Sequence, residues 1–87
     1  MSAEWVESPT WKRGGIWRSY SLTAEGETVE LSHVPPSPLG NEARWAVSVH
    51  TEDLVMPDIT DSLAQAAALP LVISRLREIA DRLERAL

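Results

Sequence analysis

The stretch "LPLVISRLREIADRLERAL", residues 69–87, carries an apolar side chain every three or four positions, the spacing of a helix with one greasy side. At 100° per residue, Leu69, Val72, Ile73, Leu76, Ile79, Ala80, Leu83, Ala86 and Leu87 fall within an arc of about 140°. Arg75, Arg77, Glu78, Asp81, Arg82, Glu84 and Arg85 occupy the other side. Glu78 with Arg82 and Asp81 with Arg85 are acid-before-base pairs four apart, each worth about 0.3–0.5 kcal/mol. Arg82 and Arg85 also stand where the helix dipole favours a cation.

That greasy arc needs a cover, and the cover decides the fold. The arc fits a heptad, with Leu69, Leu76 and Leu83 at one position and Val72, Ile79 and Ala86 at the other. Under three heptads, however, make a free-standing coiled coil marginal in water. The expected cover is therefore the protein's own sheet, across whose apolar face the helix lies. The arc exceeds a strict coiled-coil stripe, so its rim is compatible with a second protomer and a homodimer.

Strands with an apolar face precede it. "IWRSYSLT" alternates from Ile16, with Tyr20 and Leu22 on one side and Trp17, Ser19 and Ser21 on the other. "AEGE" breaks the run, and Gly26 takes a positive φ cheaply. "ETVELSHV" then alternates Val29 and Leu31 against Thr28, Glu30 and Ser32, giving a hairpin over residues 16–34. "PPSPLGNEA" is a connection, because prolines donate no ladder hydrogen bonds. "RWAVSVHT" supplies a third strand with Trp45, Val47 and Val49 on its apolar side.

After "EDLVMPD", read as a link, the period becomes helical. Asp58 and Asp61 are candidate N-caps ahead of "SLAQAAAL". Pro70 removes a backbone donor and clashes with the preceding turn. The reading is an α+β domain: a three-stranded antiparallel sheet, with a fourth strand available from the N-terminus, one face packed on a C-terminal helix broken or kinked near Pro70. A single domain is expected, with an irregular segment over 1–15, the sheet over 16–52 and the helical region over 58–87.

Composition narrows the function classes. A chain of 87 residues buries only about 60% of its unfolded surface, so its core is thin. Without cysteine, disulfides, thiolate zinc sites and a cysteine nucleophile are excluded. No run approaches the roughly 18–20 apolar residues of a membrane span, and the N-terminus lacks a basic, then apolar, leader. A cytoplasmic protein is expected, with no membrane partner. The net charge is −5. Residues 1–57 hold eight acids against four bases, and residues 58–87 five against four. That balance disfavours backbone-driven nucleic-acid binding.

Catalytic and cofactor patterns are lacking. His33 shares the side of Val29 and Leu31, whereas His50 follows Ser48 and Arg44, so the two histidines point to opposite faces. His50 with Glu52 supplies two ligands where zinc usually wants three or four, and His50 with Glu52 or Asp53 is the weakest of the functional readings, that of a small enzyme. No serine or threonine sits in a nucleophile elbow, and Gly14-Gly15 and Gly40 form no phosphate loop. "PPSP" reads as a stiff connector. Neither a metal, a cofactor nor an enzymatic activity is expected.

Trp5, Trp11 and Trp17 fall at intervals of six, with Lys12 and Arg13 between them. Two structural outcomes are open: residues 5–11 fold back over Trp17 as a satellite core, or the indoles form an exposed patch, tryptophan being enriched at binding hot spots. The expected function is a non-catalytic protein-interaction module, regulatory or phage-derived, that binds an unidentified protein partner through Trp5, Trp11, Lys12, Arg13 and Trp17. The alternative is single-stranded nucleic-acid binding by the same segment, with bases stacking on the indoles. Trp-bearing strands followed by an Ala/Leu/Arg-rich terminal helix resemble the plan of small proteins of actinobacteria and their phages. That resemblance implies the binding of one partner protein and brings no site residues with it.

Overall fold

Two tight turns set the register of the sheet. The computed structural model describes residues 4–12 and 15–87. At Glu25-Gly26 both central residues have positive φ, 53° and 81°, the type I′ pattern whose twist matches paired strands. The turn joins β4 (Ser19–Ala24) to β5 (Glu27–Val34), with Ala24 opposite Glu27 and Leu22 opposite Val29. A second two-residue loop, His50-Thr51, joins β6 (Arg44–Val49) to β7 (Glu52–Pro57).

The sheet has five strands in the order β1-β4-β5-β6-β7, every pair antiparallel. The N-terminal edge strand held available is present and an unexpected strand closes the other edge, so the count is five rather than three or four. At one edge, β1 (Val6–Glu7) pairs with Ser21 and Tyr20, within the segment read as irregular. At the other, "EDLVMP" is a strand rather than a link. Its alternation of Leu54 and Met56 against Asp53 and Val55 was overshadowed by Pro57, yet proline is tolerated on an edge strand, where no neighbour needs its donor. The expected first hairpin strand also divides. Only Ser19–Ala24 joins the main sheet, whereas β3 (Gly15–Trp17) pairs with β2 (Thr10–Lys12) in a separate ribbon, Thr10 opposite Trp17 and Trp11 opposite Ile16.

The apolar face is the one that alternation selects. Leu22, Val29, Leu31, Trp45, Val47, Val49 and Met56 are buried, with Leu31, Trp45 and Val47 at 0% exposure. On the other face Ser19 and Ser32 share a hydrogen bond of 3.0 Å, as do Thr23 and Thr28.

One helix, α1 (Asp61–Arg85), crosses the apolar face. Its N-cap is Thr60, whose hydroxyl accepts from the Leu63 amide; neither Asp58 nor Asp61 plays that part. The helix is not broken at Pro70. Pro70 and Ala66, the residue four before it, both lie on the exposed side, so the carbonyl that proline cannot bond opens to solvent rather than to the core.

The face that packs differs from the expected one. Ala64, Ala68 and Val72, spaced by four, are the helix residues buried on the sheet. Small side chains let the helix axis approach the strands closely. Of the stripe over residues 69–87, Val72 and in part Leu69 reach this contact, whereas Ile73, Leu76, Leu83 and Leu87 turn away and are exposed. The last side-chain tie to the sheet is Arg75 to Glu52 at 3.3 Å, and every residue from Ala80 to Leu87 is exposed. This overhang fits a radius of gyration of 14.3 Å, against about 12 Å for a compact chain of this length. Among the described residues, no helix is long and apolar enough to cross a membrane.

Candidate functional site

The ribbon β2-β3 carries two of the three N-terminal indoles. The backbone register sets Trp11 opposite Ile16 and Trp17 opposite Thr10. Trp11 is 78% exposed. Trp17 is half-buried and bounds a hollow of about 550 Å³ with Val34, Pro35, Pro36, Pro38 and Arg44. The proline connector thus forms one wall of a partly apolar hollow. Val34 is buried here on the sheet's second face, a small apolar area that alternation alone would have left polar.

Trp5 does not join them. It precedes β1 and packs, partly buried, against the main core. The three indoles thus divide into a core neighbour, an exposed indole and a hollow wall. Lys12 contributes its backbone to β2, while its side chain and the whole of Arg13 lie outside the described residues.

A second constellation forms where the helix begins. Asp61 occupies the first helical turn beside the cap Thr60. Arg18 grips it with two nitrogens at 3.1 and 3.2 Å, and the Tyr20 hydroxyl donates to it at 2.5 Å. That hydrogen bond is the main reason the tyrosine proton is held above its usual range, with desolvation adding to it. The same bond, aided by Arg18, lowers the Asp61 pKa against the opposing effect of burial. Alongside, the His33 ring meets Trp45 edge-on at 4.9 Å and its Nε2 lies 2.9 Å from Asp58. The Trp45 indole nitrogen donates to the Ile59 carbonyl at 2.7 Å.

These polar groups are engaged with one another across the sheet–helix junction. Their evident effect is to fix the connector 58–60 and the start of α1 against β4, β5 and β6. Sequence reading missed the cluster because Arg18 and Tyr20 are 43 and 41 residues from Asp61. The only available signal was the capping pattern around Thr60 and Asp61.

The histidine reading is corrected in part. His33 does face the apolar side, as its parity with Leu31 implied. His50, however, lies beyond the end of β6 with a φ of 53° and meets Glu27 at 2.7 Å. Glu52 turns instead to Arg75, so His50 and Glu52 do not form a pair. Among the described residues, no three of His, Asp or Glu gather as a metal site. No protein-family model, curated protein or solved structure matches the chain.

Proposed function

We propose that the protein is a non-catalytic interaction module, cytoplasmic and possessing one protein partner, which it engages through the β2-β3 ribbon. The observation that carries this reading is Trp11, a large indole 78% exposed on a three-residue strand. An indole held on a paired strand offers wide apolar contact at little cost in side-chain entropy, which is why tryptophan concentrates at binding hot spots. The hollow beside Trp17 and the prolines supports the same reading, as a socket for an apolar side chain of the partner with Arg44 at its rim.

The test is affinity capture with the full chain and with Trp11→Ala and Trp17→Ala, the recovered partner then being titrated as purified protein. Each substitution should weaken binding by about 30-fold or more while the circular dichroism spectrum is retained. Equal affinity for both variants would remove the ribbon from the interaction. Oligonucleotide titration of Trp fluorescence at low salt separates the nucleic-acid alternative, which requires quenching that fades steeply with added salt.

A further inference from the structure

The second half of α1 has a surface that nothing else among the described residues covers. Along it, Ile73, Leu76, Ala80 and Leu83 alternate in steps of three and four, and Leu87 keeps the spacing just past the helix end, the repeat of a coiled-coil seam. Ile73 is 46% exposed, Leu76 39% and Leu83 66%. Yet helix continues to Arg85, well past the last contact with the sheet, although helical segments without tertiary packing are marginal in water.

The charges beside this seam indicate its occupant. Within the helix beyond Ser74, Arg75 meets Glu52 and Glu78, Arg82 meets Glu78, and Arg85 meets Asp81. Among the described residues, Arg77 and Glu84 are the charged side chains of this segment that form no ion pair within the chain. They are seven residues apart, on the same flank of the seam, and opposite in sign. A second copy of the segment running antiparallel places each beside its opposite.

We propose that residues 76–87 pair antiparallel with the same segment of a second copy of this chain. In the register that the charges select, Ala80 packs against the partner's Leu83 and Leu76 against the partner's Leu87, each contact occurring twice about the two-fold axis. Arg77 faces the partner's Glu84 on one flank, and Ile79 meets the partner's Ala86 on the other. The axis passes between residues 81 and 82, so each sheet sits beyond the end of the opposing helix and the two bodies do not collide. Small against large in each central layer fills the seam without a void. The contact is short, below the range of about 1,200–2,000 Å² buried by standard interfaces. A dissociation constant of roughly 10–100 μM is therefore expected.

Sedimentation equilibrium of the full chain from about 1 μM to 1 mM brackets that range and tests the pairing. A reversible monomer–dimer equilibrium is expected, and a monomer throughout overturns the proposal. Leu83→Glu sets two carboxylates per dimer, one from each copy, against the seam's apolar layers; it should weaken dimerisation by about 30-fold or more, with the monomer's melting temperature unchanged because Leu83 is exposed there. An unaffected dimer places the contact elsewhere and overturns it. For the register, Arg77→Glu and Glu84→Arg should each weaken the dimer about three- to tenfold, and the double variant should restore it to within about threefold. Failure of that rescue overturns the antiparallel arrangement. Trp11→Ala leaves this equilibrium unchanged, so the pairing and the ribbon interaction fail or stand separately.

Discussion

Tyr20 and Asp61 tie the sheet to the helix through one short hydrogen bond, and each protonation state depends on the other. Asp61 titrates below its usual range in the folded chain because the Tyr20 hydroxyl and Arg18 favour its ionised form. Its contribution to stability is therefore present above the unfolded aspartate pKa of about 3.9 and is lost as pH falls through the lower folded value. Tyr20, with its pKa raised, contributes below about pH 10 and loses that contribution as pH rises through its folded value. Tyr20→Phe keeps the ring against Trp45 and removes the hydroxyl alone. A cost of about 1 kcal/mol at pH 7 is expected in urea unfolding, small for a charged acceptor because Asp61 is part-exposed. The acid-unfolding midpoint should also move to higher pH, since Asp61 then titrates nearer its ordinary range. An unchanged midpoint would show that Arg18 alone holds the carboxylate.

The elements that alternation reports most directly are β4, β5 and β6. Each shows one buried and one polar side, and so their register follows from residues such as Leu22, Leu31 and Val47. The β7 strand was hidden by Pro57, and β1 by its two-residue length, where no alternation can accumulate. The helix was legible as a helix, but its packing face was not. Hydrophobicity ranks Leu76 and Leu83 above Ala64 and Ala68, whereas the sheet selects the residues that allow closest approach. Sequence reading grouped Trp5, Trp11 and Trp17 but could not divide them, because strands of two or three residues are too short for alternation to assign their pairing. If close approach is what fixes α1, enlarging the alanine stripe should harm the fold even though it adds apolar surface. Ala68, at 0% exposure, is the sharpest case: Ala68→Leu should destabilise by about 1–3 kcal/mol, measured as a lower urea midpoint with the slope preserved. A stabilised variant would mean that the helix sits on the sheet more loosely than its burial indicates.

The molecule as a whole is a five-stranded layer with a helix longer than the layer it covers. Stability should therefore be graded along α1. From Asp61 to Val72 the helix is anchored by the Thr60 cap, the Arg18–Asp61–Tyr20 cluster and the buried Ala64, Ala68 and Val72. Beyond Ile79 it is supported by Glu78–Arg82 and Asp81–Arg85, exposed pairs that contribute only tenths of a kcal/mol each, about 0.3–0.5. Local opening of the last turns thus needs far less free energy than opening of the core, since it exposes almost no new apolar surface. Amide hydrogen exchange in dilute solution should show Ala68 and Val72 protected to nearly the same extent as Val47, and residues 82–85 exchanging within about tenfold of the unprotected rate. Raising the protein concentration through the dimerisation range should slow exchange at residues 80–85 while leaving Ala68 unchanged, because only the overhanging turns gain a partner. Concentration-independent exchange there would mean that the overhang stays solvated, with its leucines displayed for no second copy.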